Sequence, residues 1–196
     1  MKKYKFLSVF VSVLLVFAIS QAAFGFETKV FKFKARTWDS ISSNTDRLNG
    51  NYELVISNGK AEVFQLLDGQ RVPIEGNAAA ELLRMAGVDP DNRMYVDPSK
   101  LAIGKKWNKS YPDRTPWRTF IHRNVEYEVV GREQKITTAG TFDTFKIEGS
   151  AFMGSNQRKW VYYYAPDIKV IVHWNFDSAV GERGYKAEIE FVGFGS

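Results

Sequence analysis

The sequence predicts a mainly β fold of the α+β class: a curved antiparallel sheet or half-open β-barrel of about nine strands with one helix. Three observations predict it. Apolar and polar residues alternate along many short runs, as half-buried strands require. Turn dipeptides such as Asn58-Gly59 and Asp68-Gly69 separate those runs by short gaps, which favour antiparallel neighbours. Only one stretch reads as a helix, so there is no alternating strand–helix rhythm of the kind that builds a parallel sheet.

Along the chain, Phe31, Phe33 and Ala35 alternate with Lys32, Lys34 and Arg36. Strands follow at Tyr52–Ile56 and Ala61–Leu67, joined by Asn58-Gly59, and Asp68-Gly69 leads on to Val72-Pro73-Ile74. Asn77 is placed to cap a helix over Ala78–Met85, and Gly87 to end it in the left-handed conformation. Leu82, Leu83, Met85 and Ala86 give that helix an apolar side to lay over a sheet. Residues 88–116 are rich in Pro, Asp, Asn and Lys with little periodicity, and read as a long functional loop or lid. Strands resume at Thr119–Gly131, Glu133–Thr138, Thr141–Phe152, Lys159–Ala165, Lys169–Phe176 and Tyr185–Phe194.

Residues 1–25 carry the three parts of a secretory signal peptide. Lys2, Lys3 and Lys5 form a basic leader, Phe6–Ile19 is an apolar run too short to span a bilayer, and small residues lead to Gly25. Residues 26–196 are then expected as a single antiparallel β domain, in the periplasm or outside the cell, with no stable membrane anchor once the signal is cleaved. Loss of the three leader lysines takes 27 basic residues to 24 against 22 acidic ones. That near balance, without a clustered basic patch, argues against nucleic acid as a partner. The absence of cysteine excludes disulfides, thiolate metal sites and a cysteine nucleophile, as well as an acylated cysteine after the signal.

Signals for catalysis are weak, and the expectation is a non-enzyme without cofactor or metal. His122 and His173 each fall inside a predicted strand; they could meet across a sheet over a metal, and the plainer reading is two ordinary strand residues. Asp89, Asp91, Asn92 and Asp97 offer oxygens but lack the spacing of a calcium loop, and suit turns equally. The aromatic residues are more informative. Trp160, Tyr162 and Tyr164 share one strand face, while Trp107, Tyr111 and Trp117 lie in or beside the long loop among lysines and arginines. Such rings line an apolar cavity, stack on sugars, or simply fill a core.

The run Gly131-Arg132-Glu133-Gln134-Lys135-Ile136-Thr137-Thr138-Ala139-Gly140-Thr141-Phe142 precedes Trp160-x-x-x-Tyr164-Ala165-Pro166, with Leu101-x-x-Gly104-Lys105-x-Trp107 upstream. Over roughly residues 101–175 this resembles a group of largely uncharacterised bacterial envelope proteins, the TapB-like group. By analogy such proteins look similar to the LolA/LolB type, which implies a curved sheet with an apolar cavity that holds a lipid or acyl chain. The expected function is therefore a secreted or periplasmic protein that binds an apolar ligand, or a segment of an envelope protein partner. Its site would be the concave face of its sheet, at Trp160, Tyr162 and Tyr164. A carbohydrate-binding module using Trp107, Tyr111 and Trp117, or a structural subunit of an envelope complex, is the alternative.

Overall fold

A computed structural model describes residues 28–39, 49–88, 100–114, 120–153, 156–180 and 183–195. The expected signal peptide, Trp117 and the Asp89–Asp97 cluster lie outside the described residues. Among the described residues, ten strands form one curved, unclosed antiparallel sheet. They are β1 (Lys29–Asp39), β2 (Gly50–Ser57), β3 (Lys60–Leu67), β4 (Gln70–Ile74), β5 (Lys106–Arg114), β6 (Phe120–Thr137), β7 (Gly140–Met153), β8 (Asn156–Ala165), β9 (Val170–Val180) and β10 (Arg183–Gly195). Helix α1 spans Gly76–Met85. The spatial order is β4-β3-β2-β1-β10-β9-β8-β7-β6-β5, two meanders joined where β1 pairs with β10 in the middle.

The hairpins follow from local chemistry. Asn58 and Gly59 (φ 53° and 74°), like Asp68 and Gly69 (51° and 80°), occupy the left-handed region at both turn positions. This is the geometry whose twist matches that of flanking strands, and Asn-Gly and Asp-Gly adopt it at least strain.

Two sequence expectations need correction. The long loop is partly a strand: Lys106–Arg114 has poor strand propensity and contains Pro112, yet it pairs with β6 over its whole length. An edge strand tolerates proline because only one of its sides is hydrogen-bonded. The strands expected at 119–131 and 133–138 are instead one strand of 18 residues, bent by a bulge between Val129 and Gly131. Glycine there bends the strand and does not end it.

α1 lies between the two edges in the chain, after β4 and before β5, and packs on β3 and β9 from inside the curve. Its N-cap is Glu75, without a side-chain capping bond, where Asn77 was expected. At the other end the Gly87 and Val88 amides donate to the carbonyls of Arg84 and Leu83, with Gly87 at φ 80° as anticipated. Ala79, Leu82 and Met85 join Phe33, Leu54, Ile147, Ile189 and Trp174 in one continuous core.

Beyond the bulge the β6–β7 hairpin forms an arm. The Lys135 ammonium sits 4.3 Å from the ring centre of Tyr163 on β8. The amide and hydroxyl of Thr138 both donate to Glu190 Oε1 on β10. Tyr163 points away from the α1 side, because its neighbour Tyr162 points towards it. The arm thus covers the convex face, and Tyr162–Ala165 and Val170–Trp174 are buried on both faces.

Candidate ligand-binding face

The strand register gathers Trp107, Trp160, Tyr162 and Tyr164 on the concave face. Tyr162 faces Trp174 across β8 and β9, and Trp160 faces Phe176. The rings form a continuous band. Trp107 stacks on Tyr127 at 5.3 Å and 18°, Tyr127 lies 6.3 Å from Tyr162, and Tyr162 lies 6.5 Å from Trp174. Trp174 stacks on Phe176 at 6.1 Å, and Phe176 meets Trp160 at 5.4 Å. β7 contributes Gly149 to this band, and its missing side chain leaves room for the Tyr127 ring.

Trp160, Tyr162 and Tyr164 are all buried in the packed core, Tyr162 to 4% exposure. Burial, with Tyr127 and Glu81 adding to it, holds the Tyr162 hydroxyl well above its usual pKa of 10. Burial also raises Tyr164, whose hydroxyl has no hydrogen-bond partner among the described residues. Trp107 is half-buried with one ring face given to Tyr127. Tyr111 lies on β5, and its side chain falls outside the described residues. The sequence reading missed Tyr127, which connects the two predicted aromatic groups.

The opening on this face lies at one end, where β1 begins, β10 ends and the β8–β9 turn meets the C-terminus of α1. There a cleft of about 530 Å³ is lined by Val30, Phe31, Ile56, Ala86, Ile168 and Phe194, with Lys29 and Lys169 at its rim. That volume falls in the range of small-molecule sites. A bulge in β10 shapes it. Phe191 pairs with Phe33, and Phe194 with Phe31, so three residues on β10 oppose two on β1. Residues three apart on a regular strand face opposite sides; the inserted residue turns Phe194 to the same side as Phe191. The Phe194 ring, 56% exposed, rests 5.1 Å from Phe191 and 5.5 Å from Phe31. Sequence reading passed over Phe194, although Gly193-Phe194-Gly195 next to an apolar strand end was a visible sign of a bulge.

The convex face carries a second concavity of about 600 Å³, lined by Lys106, Glu126, Glu128, Glu148, Ser150 and Lys159 among others. Glu128 and Glu148 face each other in register, and each has a lysine, Lys106 at 3.1 Å and Lys146 at 3.4 Å. This is an ion-paired polar surface. His173, paired with Tyr163 under the arm, is 6% exposed. Burial and then Lys135 lower its pKa to about 4; Glu190 and a hydrogen bond with Asn175 act in the other direction. The Glu188 carboxylate 3.2 Å from its Nε2 also opposes the drop. His122, the other histidine, lies on β6 with its side chain outside the described residues. Among the described residues no three His, Asp or Glu side chains gather closely enough to hold a metal ion.

No protein-family model matches the sequence, and no curated protein does, so neither membership of the TapB-like group nor the fold analogy with LolA/LolB-type proteins is confirmed. Three solved structures show some likeness. The lipoprotein YmcC of Escherichia coli, described as hypothetical, is 8% identical with a TM-score of 0.39, covering 98% of this chain and 97% of its own. A protein of Bacteroides fragilis, provisionally described as exported and as having a YmcC-like fold, is 12% identical with a TM-score of 0.35 over 86% of this chain and 95% of its own. A protein of Parabacteroides distasonis, provisionally described as a lipoprotein, is 10% identical with a TM-score of 0.38 over the same shares, 86% and 95%. Identities and scores this low identify neither a family nor a function.

Proposed function

We propose that this is an exported, non-enzymatic envelope protein that takes an apolar ligand at the open end of its concave face. The observation that carries the proposal is Phe194: a large ring left 56% exposed in a cleft of apolar side chains on that face. The basic and apolar pattern of residues 1–25 supports export to the periplasm or beyond. Trp160, Tyr162 and Tyr164 belong to the same face and form its packed wall, while the cleft supplies the entrance. A partner segment pairing along a sheet edge is less favoured, since both edge strands carry a proline, Pro73 and Pro112, without an N–H to donate.

Native mass spectrometry on protein recovered from the exported fraction tests this reading. An added mass that vanishes on organic extraction, or uptake of supplied 1-dodecanol, is expected for the wild type and much reduced for Phe194→Ser. A bare wild-type chain that takes up no dodecanol would overturn it.

A further inference from the structure

We propose that the β6–β7 arm is an acid-released strap, held shut at neutral pH and let go when the imidazole of His173 beneath it takes up a proton. The arm is built to move as a unit. Its root on β6 is the bulge between Val129 and Gly131, and the β7–β8 ladder begins only at Phe145. Among the described residues, 132–137 therefore ladder only with β7, and 140–144 only with β6. The Lys135 ammonium closes the arm onto the Tyr163 ring, and the amide and hydroxyl of Thr138 donate to one oxygen of Glu190. Phe142 adds an edge-on contact with Phe191, 6.2 Å between ring centres.

His173 lies under that closure. Its ring is 5.6 Å from the Tyr163 ring that carries Lys135, and it stands opposite Glu190 in the β9–β10 register. Around it are Lys135 from the arm, Tyr163 from β8, and Glu188 and Glu190 from β10. Beyond Tyr163 come Glu133 on the arm and Lys146 and Glu148 on β7; beyond the two glutamates come Lys34 and Arg36 on β1. A proton on His173 acts on both polar closures at once. It sets a second cation beside Lys135, and it draws Glu190 towards the imidazolium and away from Thr138. Glu188 favours the proton with the arm open or shut, whereas burial and Lys135 oppose it only while the arm is shut. Lifting the arm thus returns the ring from a pKa of about 4 towards its ordinary 6.5. By linkage, a rare opening becomes about twentyfold more frequent at pH 5 than at pH 7. Release uncovers Tyr163, His173 and the inner side chains of the arm.

The chain has no cysteine, so one introduced thiol reports the opening. Thr144→Cys is a near-isosteric change at a position 1% exposed on the inner side of the arm, in register with Glu133. Ala35→Cys, equally sealed on β1, reacts only when the sheet itself unfolds. Each rate of labelling by a disulfide reagent is divided by that of a free peptide thiol at the same pH. The Thr144→Cys thiol is expected to label faster than the Ala35→Cys thiol, and its normalised rate to rise about twentyfold from pH 7 to pH 5. Adding His173→Gln should remove that rise. Lys135→Gln, which leaves the imidazole in place, should label faster at pH 7 and rise less. Equal rates at positions 144 and 35 would overturn the strap, since the arm would then open only with the whole fold. A rise that survives His173→Gln would overturn the imidazole as its trigger, and a Lys135→Gln profile identical to that of the parent would overturn the lysine clasp.

Discussion

Acid should destabilise this fold through His173. Its pKa falls from 6.5 to about 4 on folding, because burial and the nearby Lys135 disfavour the charged ring. The folded state therefore binds the proton more weakly than the unfolded chain does. Stability from the neutral ring is present above pH 6.5 and is lost as the pH falls towards 4. At about 1.4 kcal/mol per pH unit, the loss comes to about 2 kcal/mol by pH 5 and about 3 kcal/mol by pH 4. Those are upper figures, since the Glu188 carboxylate 3.2 Å from Nε2 favours the protonated ring. Urea unfolding followed by tryptophan fluorescence at pH 7 and pH 5, on wild type and His173→Gln, isolates the effect. The other titrating groups are common to both proteins, and the intrinsic effect of the substitution cancels in the difference between the two pH values. The wild type should lose about 2 kcal/mol more than the variant on this shift. Equal losses in the two proteins would refute the reasoning.

Three further outcomes follow from the packing. Leu82→Ala, at a fully buried position where α1 meets the sheet, should lower stability by about 3 kcal/mol with little change in the urea m-value. Gly149→Ala would place a Cβ 2.8 Å from Cε1 of Tyr127, whose ring is held against Trp107. The change should destabilise by about 1–3 kcal/mol and alter the near-ultraviolet circular dichroism, whereas an unchanged spectrum would mean that the stack is not as described. Tyr52, Tyr162, Tyr163 and Tyr164 are all raised above pKa 10, with burial the largest cause at each. Since a raised tyrosine pKa means stability lost as pH climbs past 10, alkaline titration followed by tyrosinate absorbance should show a set of tyrosines, these four among them, ionising only as the protein unfolds.

Features encoded over a few residues were legible in the sequence. The Asn58-Gly59 and Asp68-Gly69 hairpins depend on backbone freedom at two adjacent positions, and both formed as read. Period-two alternation likewise placed Trp160 and Tyr162 together on one face. What escaped depends on pairing between distant segments. β5 is a strand because β6 offers it a ladder; within Lys106–Arg114 only Trp107 and Tyr111 favour that state, against Lys, Asn, Asp and Pro112. The link from Trp107 to Tyr162 needs Tyr127 in register and a gap at Gly149, which no single strand pattern contains. Phe194 stood in the sequence only as the last residue of an expected strand. Its exposure arises from a bulge that exists only in the pairing of β10 with β1.

Methyl NMR on isoleucine- and valine-labelled protein, titrated with 1-dodecanol, tests the central claim most directly. Ile56 and Ile168 line the cleft, whereas Ile147 and Ile189 are sealed in the sheet. Saturable methyl shifts at the first two, with the last two unmoved, are the predicted result. Unmoved cleft methyls, or shifts centred instead on Val130 and Val161 beside the convex concavity, would contradict the account.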